Sequence, residues 1–149
     1  MSDRISPPSI AAIKRVVSVC EKKDIRVWKI ASGRIIRNIA AESYQLICPD
    51  SQIGEFMGQT HPGWEIVGES QYSADCAAEM IRTKVSGENA SRVNWLFQQF
   101  VKLNAIARSE LDESDIVLIW DADTVPLRRL SFVNPTSGAL MFYHSRERH

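Results

Sequence analysis

Five apolar residues, 116–120, run without a polar break and are followed at once by two carboxylates, Asp121 and Asp123. A continuous apolar run of this length is typical of a strand buried on both faces inside a parallel sheet. Pro126 cannot donate to a central ladder, so the strand must end before it. Because ligands bind outside the carboxyl ends of such strands, the pattern predicts a central strand that delivers Asp121 and Asp123 to a binding site.

Two longer segments carry apolar residues at helical spacing. In residues 25–39 the repeating positions are Val27, Trp28, Ala31, Ile35, Ile36 and Ile39. In residues 92–108 the predicted core face consists of Val93, Leu96, Phe97, Phe100, Leu103 and Ala107, with Ser91 as the N-cap. Trp95, Gln99 and Lys102 share a different face of this helix, since positions i, i+4 and i+7 align. Such a face is ordinarily solvated.

Shorter apolar segments predict the remaining elements. Strands are expected at residues 16–20, 44–48, 64–68 and 138–143, the third near an edge of the sheet and the last buried. A short helix capped by Ser51 and a second one around residues 74–83 separate them. Strands that alternate with helices predict an α/β fold with a mostly parallel, Rossmann-like sheet and helices on both faces. The Gly-x-Gly-x-x-Gly fingerprint of dinucleotide-binding folds does not follow the first strand.

Length, charge and cysteine content narrow the class of protein. The 149 residues suffice for one domain, predicted at residues 10–149 after a flexible leader at 1–9. A formal net charge of zero argues against a nucleic-acid binder. No apolar segment approaches the length of a membrane span, and the N-terminus lacks the apolar core of a signal peptide. Cys20, Cys48 and Cys76 are odd in number and widely separated, which predicts free thiols and a cytoplasmic protein.

Asp121 and Asp123 place two hard oxygen donors one residue apart. This spacing fits a Mg²⁺ or Mn²⁺ ion whose remaining ligands come from substrate phosphates. The alternative is a strand that ends in an Asx turn, with both aspartates solvated. Arg128 and Arg129 follow closely, and they could either assist a leaving phosphate or be surface charges.

The segment Trp-Asp-Ala-Asp-Thr-Val-Pro-Leu-Arg-Arg-Leu-Ser-Phe, residues 120–132, resembles the DxD region of GT-A glycosyltransferases. It is most similar to bacterial polysaccharide-type transferases of the DUF6492 group and more distantly similar to glycogenin-like enzymes. In those families the two carboxylates hold a metal ion that is bound to the diphosphate of a nucleotide-sugar donor. The resemblance therefore implies a GT-A sheet and a metal-dependent transfer of a sugar to a hydroxyl.

The same resemblance implies roles for individual residues. Lys102 stands where glycogenin-like enzymes carry a lysine that reaches the donor, and Gln99 belongs to a Trp-x-x-Gln-Gln-x-x-Lys pattern of the bacterial group. The implied donor-binding residues are Lys102, Gln99, Ala122 and Asp121, and the implied metal ligands are Asp121 and Asp123. The implied partners are a UDP- or GDP-sugar and a sugar or polysaccharide acceptor. Recognition of the nucleotide base would fall to the turn at residues 21–24.

The resemblance covers the nucleotide-binding half of a GT-A domain, so the chain is expected to be truncated or to need a partner. A sheet edge left open after Tyr143 would also allow a homo-oligomer. One alternative function is a nucleotide-binding module or pseudoenzyme without turnover. A second is a haloacid-dehalogenase-like phosphatase, in which Asp121 would be the nucleophile and Asp123 the acid or base.

Overall fold

The computed structural model describes residues 12–73, 78–85, 87, 92–108 and 110–142. The strands are β1 (Ile13–Val19), β2 (Ala41–Cys48), β3 (Trp64–Gly68) and β4 (Ile116–Ile119). The helices are α1 (Ile25–Asn38), α2 (Ile53–Met57), α3 (Ser70–Ser73), α4 (Ala78–Lys84) and α5 (Val93–Ala107). Short 3-10 turns at Lys22–Asp24 and Asp50–Gln52 lead into α1 and α2. None of the described helices is both long and apolar enough to cross a membrane.

The four strands form one parallel sheet in the order β3-β2-β1-β4. Val16 of β1 lies opposite Tyr44 on one side and Leu118 on the other, so β1 is flanked by strands on both sides. The predicted α/β class and parallel sheet are confirmed, and so, among the described residues, is the position of β3 at an edge.

Helices cover both faces of the sheet, as predicted. On one face Val16 and Leu46 pack in a cluster with Trp28 and Ile35 of α1 and with Phe56 of α2. On the other face a second cluster joins side chains of β1, β2 and β3 to α3 and α5: Val17, Val19, Ile47, Val67, Tyr72, Val101 and Ala105. Because adjacent residues of a strand point to opposite faces, the full burial of both Val16 and Val17 shows that β1 is covered on both sides.

The position of β4 differs from the prediction. Among the described residues β4 pairs only with β1 and lies at the edge of the sheet, and all four of its residues are only partly buried. Phe132 and Met141 line the groove beside its open side. An apolar run predicts that a strand will be buried but not which neighbours it will have, so the prediction of a central strand was wrong for the described sheet.

The predicted buried strand at 138–143 is also wrong over its described part. Residues 138–142 contribute a single antiparallel bridge, Leu140 to Val133, and Phe142 is 86% exposed. A turn comes just before this segment and interrupts the extended backbone. In it the Asn134 side chain accepts hydrogen bonds from the Thr136 and Ser137 amides, and Gly138 adopts a φ of 70°. Tyr143 lies outside the described residues.

The face that α5 turns to the sheet agrees with the predicted one only in part, since Val93 and Phe97 pack inward but Leu103 and Ala107 do not. Its buried residues are Val93, Val101, Lys102 and Ala105, whereas Leu103 is 63% exposed. The helix is apolar on more than one side, and the smaller Val101 and Ala105 allow a close approach to the sheet. Neither α2 nor α5 begins with a side-chain cap: Gln52 and Arg92 stand at the N-cap positions, and Ser91 lies outside the described residues.

Candidate functional site

A polar cleft of about 270 Å³ lies where β1 and β4 end and α5 passes beside them. Because both strands are parallel, their carboxyl ends meet at the same edge of the sheet. The Trp120 amide still donates to the Val17 carbonyl at 2.9 Å, and Ser18 Oγ donates to the Trp120 carbonyl at 2.8 Å. These two bonds fix where the chain leaves β4. The residues that line the cleft are Val19, Asp24, Trp95, Gln98, Gln99, Lys102, Asp121, Ala122 and Asp123.

The carboxylates project from a tight turn after β4. The Thr124 amide donates to the Asp121 carbonyl at 3.0 Å, and Trp120 Nε1 donates to the Thr124 carbonyl at 2.8 Å. Ala122 is buried in the core cluster of the α1 face, whereas Asp121 and Asp123 on either side of it are exposed. The small, buried Ala122 thus anchors the turn, and the two aspartates are left available to a ligand.

Lys102 of α5 reaches the first of these carboxylates. Its Nζ lies 2.6 Å from Asp121 Oδ1, with side-chain exposures of 9% for the lysine and 65% for the aspartate. A nearly buried ammonium is stable only when it is paired and hydrogen-bonded, and here Asp121 supplies both the charge and the bond. The sequence-predicted residues Lys102, Gln99, Asp121, Ala122 and Asp123 therefore line one cleft.

The turn after β1 closes a further side of the cleft. Asp24 lines the cleft, and Glu21 Oε1 accepts a hydrogen bond from Gln98 Nε2 at 2.7 Å. Sequence reasoning placed residues 21–24 near a ligand only through the family resemblance, and it missed the bond between Glu21 and Gln98. No local pattern could have revealed that bond, because the two residues are 77 positions apart.

Trp95 of α5 is half-exposed at the same cleft, and the Arg92 guanidinium carbon lies 4.7 Å from the centre of its ring. A guanidinium at this distance interacts favourably with the face of an indole. The contact holds a broad apolar surface in place beside Gln99, within the same cavity as the aspartates.

The two aspartates of the cleft supply some, but not all, of the ligands that a hard divalent cation needs. Asp121 and Asp123 offer carboxylate oxygens, which Mg²⁺ and Mn²⁺ prefer. Over the part of the chain that the structure describes, no group of three or more His, Cys, Asp or Glu residues could hold a metal ion. A cation held by these two aspartates would need its other ligands from water and from a bound diphosphate.

Cys20 and Cys48 are buried free thiols at the ends of β1 and β2, which confirms the prediction for these two residues. Burial raises the pKa of Cys20 to about 12, with the Asp24 carboxylate adding to the effect. Burial likewise raises the pKa of Cys48 to about 11. Both thiols are therefore neutral at physiological pH and poor metal ligands, since the thiolate is the ligand form. Cys76 lies outside the described residues.

Arg128 and Arg129 do not line the cleft. Arg129 instead lines a separate cavity together with Arg37 at the end of α1. Of the two alternatives for these arginines, assistance to a leaving phosphate receives no geometric support.

No family model, no curated protein and no solved structure matches the chain. The functional interpretation therefore rests on the geometry of the cleft and on the resemblance carried by residues 120–132. Both include Asp121 and Asp123.

Proposed function

We propose that the chain binds a nucleotide diphosphate sugar together with Mn²⁺ or Mg²⁺ and acts as a glycosyltransferase, or as the donor-binding part of one. The observation that carries the proposal is the convergence of Lys102 from α5 with Asp121 and Asp123 from the turn after β4 in one cleft. The acceptor would be a hydroxyl of a sugar or polysaccharide.

The charges in the cleft explain why a metal would be needed. Asp121, Asp123 and Asp24 carry three negative charges and Lys102 one positive charge, so these four residues leave a net charge of −2. A diphosphate would be repelled by such a site. A divalent cation bound to the exposed carboxylates would neutralise it and would add Lewis-acid stabilisation of the leaving diphosphate.

Each residue then has a separate task. Asp121 and Asp123 would hold the metal ion, and Lys102 would fix Asp121 while its other protons remain available to donor oxygens. Gln99 would hydrogen-bond the donor through its amide. The turn at residues 21–24, braced by the bond between Glu21 and Gln98, would contact the nucleotide base.

A nucleotide-binding module without turnover is the second candidate, and the ion pair between Lys102 and Asp121 favours it. A carboxylate already neutralised by a lysine is a weaker metal ligand, and without a firmly held metal ion a bound nucleotide would lack the Lewis acid that efficient transfer needs. The phosphatase alternative is disfavoured by the same pair, because Oδ1 of the proposed nucleophile is occupied by Lys102.

Calorimetric titration of UDP and GDP into the protein, with and without Mn²⁺, tests the proposal. Metal and nucleotide should each strengthen the binding of the other by the same factor, because their coupling is reciprocal. Release of UDP or GDP from a sugar donor, added with candidate acceptors, separates a transferase from a binding module. Equal nucleotide affinity with and without metal would refute the DxD interpretation, and hydrolysis of a simple phosphate ester would favour the phosphatase.

A further inference from the structure

The outer face of α1 carries basic side chains along its length. Between Ile25 and Asn38 the helix contains four basic residues and no acidic one: Arg26, Lys29, Arg34 and Arg37. Arg26, Ile30, Arg34 and Arg37 follow the i, i+4, i+8, i+11 spacing of one helical face, opposite the buried residues Trp28 and Ile35. Ile30, which lies between two of these arginines, is 61% exposed.

Among the described residues, four lysines elsewhere in the fold form ion pairs, whereas the cations of this face form none. Lys14, Lys22, Lys23 and Lys102 each pair with a carboxylate within 4 Å. Over the described residues, no ion pair involves any of the four cations of α1.

A fifth cation extends the surface beyond the helix. The Leu130 amide donates to the Asn38 carbonyl at 2.8 Å and ties the segment after the cleft to the end of α1. Arg129 and Arg37 consequently line the same open cavity of about 450 Å³. We call Arg26, Lys29, Arg34, Arg37 and Arg129, together with Val27 and Ile30, the basic face.

We propose that the basic face binds the surface of an anionic membrane. Charge complementarity selects an anionic partner, because unpaired Arg and Lys side chains near a negatively charged bilayer are attracted to it. The exposed aliphatic Ile30 and Val27 select a lipid surface over a nucleic acid. An isoleucine between arginines can enter the boundary between headgroups and acyl chains, whereas sequence-tolerant binding of single strands relies on aromatic side chains. The cavity between Arg37 and Arg129 would accept a headgroup phosphate.

Flotation with lipid vesicles tests the proposal on the full chain. The protein should float with vesicles of phosphatidylcholine and phosphatidylglycerol at low salt, float less at high salt, and not float with phosphatidylcholine alone. The double variant Arg26→Gln and Arg34→Gln should lower the partition coefficient about 25-fold, at about fivefold (about 1 kcal/mol) for each charge. The matched control removes two charges away from α1, with Lys14→Gln in β1 and Lys84→Gln in α4, and should retain most of the binding. Ile30→Ser should weaken binding at both salt concentrations.

Three results would overturn the proposal. The first is no flotation with the anionic vesicles. The second is an equal loss in the control variant, which would show that only total charge matters. The third is salt-dependent binding of a DNA duplex, or of inorganic phosphate alone, that matches the vesicle affinity and is lost in the arginine variant, which would assign the surface to a different anion.

Discussion

Lys102 and Asp121 form an ion pair in which one partner is nearly buried and the other is mostly in solvent. The Nζ to Oδ1 distance is 2.6 Å, and the side-chain exposures are 9% and 65%. Such a pair is asymmetric, because removal of the aspartate leaves a buried charge without a partner, whereas removal of the lysine leaves an aspartate that water can still solvate.

Asp121→Asn should therefore destabilise the protein more than Lys102→Met. We expect a loss of about 1–3 kcal/mol in the free energy of unfolding for Asp121→Asn, since a buried charged group loses its partner. Lys102→Met keeps the apolar stem, so the change should stay below about 1 kcal/mol or even be stabilising. Urea denaturation measures both. The exposed pair Lys22–Glu55 is the control, and neither Lys22→Met nor Glu55→Gln should change stability by more than about 0.5 kcal/mol.

Asp123→Asn should abolish the coupling between metal and nucleotide while the fold is kept. The substitution removes a charged ligand at almost constant volume, and Asp123 is exposed, so unfolding stability should change little. Titration of UDP with and without Mn²⁺ should give equal affinities in this variant. Asp112→Asn, an exposed aspartate that does not line the cleft, is the control and should behave as the wild type. If Asp123→Asn kept the wild-type coupling between metal and nucleotide, Asp123 would not be a metal ligand, and the two aspartates would belong to an ordinary strand-end turn.

Lys102 shows how far the sequence predicts this site. The DxD carboxylates could be located from the apolar strand before them, and the family resemblance pointed to Lys102. Its burial and its bond to Asp121 could not be predicted, because the face that α5 turns inward depends on how closely Val101 and Ala105 approach the sheet. The bond between Glu21 and Gln98 depends on tertiary structure in the same way.

For the sheet too, the sequence predicted where the strands lie along the chain but not their order in the sheet. Amphipathic spacing placed α1, and alternation with turns gave the bounds of β3, whereas β1 and β2 each begin three residues before their predicted starts. The order of the strands is set by packing across the sheet, so the apolar run of β4 indicated a strand without indicating its position at the edge of the described sheet.

Amide hydrogen exchange should accordingly be slowest in β1 rather than in β4. Val16 and Val17 lie between two strands and under helices on both faces, whereas β4 is partly buried and has one open side among the described residues. Protection follows the free energy of opening, which is highest in the core of the sheet. Mass-spectrometric or NMR exchange should show Val16 and Val17 protected longer than Val117 and Ile119. Longer protection of Val117 and Ile119 than of Val16 and Val17 would contradict the position of β4 at the edge of the described sheet.

Gly68→Ala should destabilise the end of β3. A Cβ at this position would clash with Asp50 Oδ1, and that carboxylate accepts hydrogen bonds from the Ser70 amide and hydroxyl. Moving the carboxylate breaks these exposed bonds, so we expect a loss of about 0.5–1.5 kcal/mol in stability. Gly54→Ala in α2 is the control, because nothing lies within 4 Å of its added Cβ. Alanine there should stabilise by up to about 1 kcal/mol. In an Asp50→Ala background the penalty at Gly68 should largely disappear.

The buried thiols predict a specific loss of stability at alkaline pH. Burial raises the pKa of Cys20 from 9.0 to about 12 and that of Cys48 from 9.0 to about 11. The unfolded chain therefore releases these protons first as the pH rises, and the free energy of unfolding falls because the unfolded state binds fewer protons. The contribution is fully present below about pH 9 and is lost as the pH rises through the folded-state values.

Urea titrations at a series of pH values between neutral and strongly alkaline measure this loss. The double variant Cys20→Ala and Cys48→Ala should lose less stability over the same range, although its stability at neutral pH should be lower because two buried side chains have been shortened. Parallel curves for the two proteins would contradict the assignment of the alkaline loss to these thiols. Native alkylation gives an independent check, because neutral, buried Cys20 and Cys48 should resist iodoacetamide at pH values where the unfolded chain reacts.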